Sequence, residues 1–173
     1  MWVFGYGSLM WNPGFEYTEK QIARLNGYHR SFCMRSIHHR GTVEKPGLVL
    51  ALDATKDAYC DGLAYRVAGE NADQVQDYLR ERELISSAYL ETSQQINFRD
   101  GRQVQAVTYV IDEDHEQYCG GLPLQEQAEI MATAIGGRGP NAEYLHNTAT
   151  HLHELGISDA DLDWLSQRVN ALV

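Results

Sequence analysis

The chain has 173 residues, 43% of them hydrophobic, and a formal net charge of −10. That suits one domain, residues 1–173, with a core of its own, and the negative charge argues against a nucleic-acid or anionic-membrane partner. Three cysteines (Cys33, Cys60, Cys119) without CxxC spacing argue against a disulfide framework; with no basic-then-apolar leader and no apolar run near the roughly 20 residues of a membrane span, a soluble cytoplasmic protein is expected.

The first half is strand-like. Met1 to Gly5 is apolar and aromatic and breaks at Gly5-Tyr6-Gly7-Ser8-Leu9. Tyr28 to Arg35, Leu48 to Leu52 and Leu63 to Val67 read as further strands, the last with Tyr65 and Val67 on one face. Turn signals separate them at Asn12-Pro13-Gly14, Lys45-Pro46-Gly47 and Cys60-Asp61-Gly62. A helix is predicted from Asn71, an N-cap residue with Asp73 in the first turn, to about Leu84. Ala88 to Phe98 and Val104 to Ile111 read as strands joined at Asp100-Gly101, a hairpin signal. Helices follow over Leu124 to Ile135, Asn141 to Leu155 and Ser158 to Leu172, with Gly136–Pro140 as a connector. Strands, one inserted helix and terminal helices indicate an α+β fold.

Two features carry chemical meaning. Gly5 and Gly7 of the Phe4–Leu9 run let the backbone bend and a ligand approach. A strand that breaks so leaves N–H groups of Gly7, Ser8 and Leu9 pointing one way, a nest for a carboxylate, a phosphate or an oxyanion. Alternatively, the glycines mark only a tight turn. Glu83 lies four residues after Leu79 and eight after Val75, on the apolar face of the predicted helix. A carboxylate there is desolvated, which raises its pKa and makes it a better proton acceptor at neutral pH. The other reading is that the helix has frayed by residue 83 and Arg80 or Arg82 holds Glu83 in a surface ion pair.

The remaining polar groups are less specific. Arg40, in His38-His39-Arg40-Gly41, is suited either to grip a carboxylate through a bidentate fork or to tie down loop carbonyls. Tyr109 and Tyr144 sit in regular elements, where most tyrosines pack the ring and hydrogen-bond the hydroxyl. Cys33, between Phe32 and Met34, reads as a buried strand thiol. His146, His151 and His153 share no helix face, HExxH is absent, and no metal site is predicted. The P-loop Lys-Ser/Thr pair and the GxSxG elbow are also missing.

Together these residues resemble the ChaC-type γ-glutamylcyclotransferases, bacterial branch. Trp2-Val3-Phe4-Gly5-Tyr6-Gly7-Ser8-Leu9 is similar to the family's YGSL loop, and Arg40-Gly41-Thr42 with Glu44, Pro46, Gly47 and Leu48 to its RGTxExPGL stretch. Arg82-Glu83-Leu84 and Tyr89 resemble the segment bearing its catalytic glutamate. Tyr118-Cys119-Gly120-Gly121, Glu126-Gln127-Ala128 and Asn141-Ala142-Glu143-Tyr144-Leu145 resemble its C-terminal half. The chain departs from some eukaryotic relatives at His38, where they have Asp, and at Ile85 and Ser86, where they have glycines. Those changes bear on substrate preference and loop mobility.

The resemblance implies a small mixed β-barrel with helices packed outside it. It also implies a lyase that converts the γ-glutamyl amide of glutathione into 5-oxoproline and cysteinylglycine without a cofactor. In that reading Glu83 is the acid/base residue, and Tyr6, Gly7, Ser8, Leu9, Arg40 and Tyr144 contact the substrate. Ile85 to Ala88, Glu44 and residues 114–121 are candidates for the leaving-group pocket. The alternatives are a cyclotransferase for other γ-glutamyl amides and a non-catalytic binding module for an acidic metabolite. Oligomeric state and physiological role are not legible in the sequence.

Overall fold

Five strands close into a barrel in the order β1-β3-β2-β4-β5, in a computed structural model that describes residues 1–84 and 86–173. The strands are β1 (Trp2–Gly5), β2 (Glu19–Ser36), β3 (Gly47–Arg66), β4 (Tyr89–Phe98) and β5 (Gln103–Ile111). β1 runs antiparallel to β3 and parallel to β5, while β4 pairs antiparallel with both β2 and β5. The helices are α1 (Ala72–Glu83), α2 (Leu124–Thr133), α3 (Asn141–Glu154) and α4 (Ala160–Leu172). The expected α+β barrel with accompanying helices is therefore present.

Two expected strand boundaries are corrected. Leu48–Leu52 and Leu63–Val67 belong to one 20-residue strand, β3. Cys60-Asp61-Gly62 is not a turn: it lies within β3, and at Gly62, next to Leu63, the partner of Gly5, an added Cβ would collide with the Gly5 carbonyl oxygen and the Phe4 ring. Its neighbour Asp61 accepts a two-pronged bond from Arg24 of β2, at 2.8 and 3.1 Å. β2 begins at Glu19, nine residues before the expected Tyr28. Gly27, at φ +86°, lies inside β2, a backbone conformation that glycine takes without strain, and the strand continues through it. Pairing with neighbours extends both strands through polar stretches where periodicity is silent.

The chain divides into two compact units. The first holds residues 1–30 and 51–115. One of its cores lies among Phe4, Leu25, Leu52, Ala64, Ile96, Phe98 and Val110 on facing barrel strands. A second, of Val3, Leu9, Val67, Val75, Leu79 and Tyr109, seats α1. The β4–β5 hairpin turns through Gly101 at φ +93°, as its Asp-Gly signal implies.

The second unit holds residues 31–50 and 116–173. Here α2, α3 and α4 pack on one another through Ala128, Met131, Leu145, Leu152, Leu162, Leu165 and Val169, all buried. α2 stops at Thr133, before the expected Ile135. Ile135–Gly136 (β6) pairs instead with Gly139–Pro140 (β7), so the connector is a small ribbon. Asn141, fully buried at the start of α3, takes the place of a strand neighbour: its amide accepts from Leu48 N–H at 2.8 Å and donates to Leu48 C=O at 2.9 Å. α4 starts at Ala160, later than the expected Ser158, because Asp159 caps it by accepting from Leu162 N–H.

Candidate active site

Helix α1 delivers Glu83 where the 3.6-residue period places it. Val75 and Leu79 are buried on the same face, and the helix persists through residue 83. The helix has therefore not frayed by residue 83, although the ion pair with Arg82 that the other reading foresaw is present, at 3.6 Å. Arg80 does not hold Glu83; it forks onto Glu91 of β4, with Nε and Nη2 each 3.0 Å from a carboxylate oxygen. The Glu83 side chain is 18% exposed. Desolvation pushes its pKa above the usual carboxylate range, and the charge of Arg82 works in the opposite direction. Tyr109 of β5 lies within reach of the Glu83 charge and donates to Glu91 at 2.9 Å. Burial, the bond to Glu91 and these two carboxylates all push the Tyr109 hydroxyl up, so it stays protonated at neutral pH.

The loop after β1 lies in the same unit. Gly7 caps a single 3₁₀ turn, Ser8–Met10, closed by Met10 N–H donating to Gly7 C=O at 2.9 Å. Leu9 enters the core cluster that also holds Leu79 and Tyr109, while Ser8 stays exposed. The fold-back is tight: a Cβ at Gly5 would lie 2.8 Å from the Leu9 side chain. Carbonyl oxygens of the loop are held from behind. Buried Arg30 donates from Nε to Tyr6 C=O at 2.8 Å and from Nη2 to Asp61 C=O. The buried Tyr65 hydroxyl lies 2.8 and 2.9 Å from the carbonyl oxygens of Leu9 and Met10. Arg82 completes the link, donating from Nη2 to the Ser8 hydroxyl at 3.1 Å. Tyr6, Gly7, Ser8, Leu9 and Glu83 thus share one neighbourhood.

Arg40 and Tyr144 lie in the second unit, near each other, with the guanidinium 5.7 Å from the ring centre. Arg40 donates from Nη1 to Pro140 C=O at 3.0 Å and pairs with Glu143 at 3.8 Å. The ribbon holds the same loop: Gly137 and Arg138 N–H donate to the carbonyls of His38 and His39 at 2.7 and 2.9 Å. Tying down loop carbonyls, one of the two roles read for Arg40, is therefore observed. Burial and the neighbouring cations lower the pKa of His39. The Tyr144 hydroxyl accepts from Leu50 N–H at 3.2 Å, and its ring meets Phe32 edge-on. Ile85 lies outside the described residues. Among the described residues, no group of three or more His, Cys, Asp or Glu is clustered to hold a metal ion, and no helix is long and apolar enough to cross a membrane.

The comparison with known proteins decides the family. The model of the ChaC-like protein family matches residues 1–172. This chain belongs to the ChaC-like family. The ChaC-like chain is 40% identical over 173 residues to the glutathione-specific gamma-glutamylcyclotransferase of Escherichia coli K12, covering all of this chain and 74% of that protein. It is 33% identical to gamma-glutamylcyclotransferase 2-3 of Arabidopsis thaliana, covering 100% and 90%. The crystal structure of the yeast gamma-glutamyl cyclotransferase specific to glutathione superposes with a TM-score of 0.86 at 25% identity, over 99% of this chain and 96% of that one.

Three residues that build the ChaC-like loop escape pattern reading. Arg30 and Tyr65 sit in strands, 24 and 56 residues from the carbonyls they hold. Nothing local distinguishes a strand arginine that reaches back to a loop from one that is solvated. Arg82 is visible in the pattern only as a neighbour of Glu83, because the loop acceptors it holds lie some 70 residues away.

Proposed function

We propose that this chain is a lyase that cleaves the γ-glutamyl bond of glutathione by intramolecular cyclisation, yielding 5-oxoproline and cysteinylglycine. The observation that carries the reading is a desolvated carboxylate, Glu83, fixed beside the turn after β1, in a chain that aligns over its whole length with 74% of a glutathione-specific relative. The substrate's α-amine attacks its own γ-carbonyl carbon and closes a five-membered ring. The C–N bond to the cysteine nitrogen then breaks. Glu83 takes one proton from the α-ammonium, the ring nitrogen sheds a second as the ring closes, and Glu83 hands a proton to the leaving nitrogen; two protons in all pass from the α-nitrogen to the departing amine, which ends as an ammonium. A pKa raised by burial fits a base that must also act as an acid.

The N–H groups of Gly7, Ser8 and Leu9 hold one of the two anionic groups the reaction presents, the substrate carboxylate or the oxyanion formed on attack. Tyr6 walls that side of the pocket. Arg40 orients the His38–Gly41 loop, and Tyr144 contributes a substrate contact in the manner of the family motif. Residues 1–173 act as one γ-glutamylcyclotransferase-like domain in the cytoplasm; the family match over residues 1–172 supports the single domain.

The test is incubation with reduced glutathione, following 5-oxoproline by mass spectrometry, with Glu83→Gln alongside. Equal amounts of 5-oxoproline and cysteinylglycine, lost in the variant, are expected. Glutamate in place of 5-oxoproline would mean hydrolysis and a different mechanism. Product from other γ-glutamyl amides but not from glutathione would reassign the substrate. Binding without product would leave an acidic-metabolite module.

A further inference from the structure

Arg82 directly precedes Glu83, yet its guanidinium is committed to the loop after β1. Nη1 faces the Asn12 and Pro13 carbonyls at 2.7 and 3.1 Å and the Tyr78 hydroxyl at 3.2 Å. Nη2 donates to the Ser8 hydroxyl at 3.1 Å. Only Nε approaches Glu83, at 3.6 Å from Oε1, a distance for charge interaction but too long for a hydrogen bond. The planar fork of an arginine can meet acceptors on several sides at once; a lysine ammonium on its flexible stem cannot hold the same geometry. Tyr78, one turn earlier on α1, covers the far end of the same segment. At Gly14, with φ +75°, an added Cβ would run into the Tyr78 hydroxyl. The segment from Ser8 to Gly14 is thus seated on the last two turns of α1 by two neighbouring side chains.

We infer that Arg82 is a positioning residue: it clamps the Ser8 turn to the end of α1, so that the anion-holding N–H groups and the Glu83 carboxylate keep a fixed separation through turnover. This rests on the assignment of Glu83 as the base. The groups acting on Glu83 in this unit are Arg82 on its own helix and Tyr109 on β5, whose hydroxyl donates to Glu91 of β4; Arg80 neutralises Glu91 in turn. Arg82 is the cation of this set that acts directly on Glu83, so its removal has two separable consequences. The loop loses its register with the carboxylate, and the carboxylate loses the charge that favours its ionised form.

The test is steady-state kinetics with glutathione across the acid limb of the pH profile. For Arg82→Met, kcat falls about 10²-fold, KM changes far less, and the acid limb of kcat/KM moves to higher pH. For Arg82→Lys, which keeps the charge and loses the fork, kcat also falls while the acid limb stays near its wild-type position. Ser8→Ala costs less in either Arg82 background than in the wild type, because its partner is already gone. Should Arg82→Met fail to fold, Arg82→Lys with and without Ser8→Ala carries the same coupling measurement. Wild-type kcat in the Arg82 variants, or losses that simply add to those of Ser8→Ala with an unmoved acid limb in Arg82→Met, would overturn the clamp. If Glu83→Gln keeps its turnover, the base assignment fails instead, and the Ser8–Arg82 coupling alone decides the clamp.

Discussion

Glu83 at the end of α1 and Glu91 near the start of β4 are eight residues apart and physically opposite. Glu83 is desolvated, with one arginine nearby that is occupied elsewhere, and its pKa is raised. Glu91 accepts from Arg80, Tyr109 and Gln76, and these bonds, that from Arg80 foremost, lower its pKa from the ordinary carboxylate value. Tyr109 stands between them, donating to one and feeling the charge of both. The difference separates a carboxylate that burial inclines toward its protonated form from one that hydrogen bonds hold as an anion. The two arginines of the Arg80-Glu81-Arg82 run are divided accordingly, one to neutralise Glu91 and one to hold the loop.

The contrast is broken most directly by removing each carboxylate in turn. Glu83→Gln should lower kcat by about 10²–10⁴-fold, the usual cost of a general base, with the circular dichroism spectrum unchanged. Glu91→Gln should leave most of the turnover in the same assay; equal losses would erase the distinction between the two sites.

Stability should show the reverse order. Glu91→Ala at neutral pH should cost roughly 1.5–3 kcal/mol, the range for hydrogen bonds to a charged group, read as a lower urea midpoint. The folded-state pKa of Glu91 lies below its unfolded value of about 4.5, so its contribution is present above that value and fades as pH falls through the lowered one. Wild type and variant should therefore converge in acid.

The smallest effect has the opposite sign. The folded-state pKa of Glu83 lies above its unfolded value of 4.5. The protein is thus most stable, with respect to this group, below that value, and loses stability as pH rises through the folded-state pKa. Glu83→Gln should raise the thermal midpoint slightly at neutral pH and make no difference in acid. A variant less stable than wild type at neutral pH would show that Glu83 is a structural anion like Glu91.

Residues that answer to local periodicity were legible in advance. The face of α1 with Val75, Leu79 and Glu83, the Asp100-Gly101 hairpin and the glycine break after β1 all follow from backbone geometry over a few residues. Misreadings fall where pairing extends an element beyond its local signal. β3 runs through Cys60-Asp61-Gly62, where Gly62 passes close to Gly5, and β2 runs through Asn26-Gly27, where Gly27 takes a positive φ. Arg30 and Tyr65, which shape the loop, lie far from it in sequence, and no window of the chain joins them to it.

What the sequence determined by itself is that a carboxylate would face a helix's apolar side and that the first strand would break at its glycines, since both depend only on periodicity and on the freedom of glycine. Tertiary structure decided what each charge does. Arg80 and Arg82 are the same residue type two positions apart, and only the three-dimensional neighbours (Glu91 for one; Ser8, Asn12 and Pro13 for the other) make one a neutralising partner and the other a clamp. The reason is physical: the energy of a charged group depends on which acceptors and how much water surround it, and folding brings those together from distant parts of the chain.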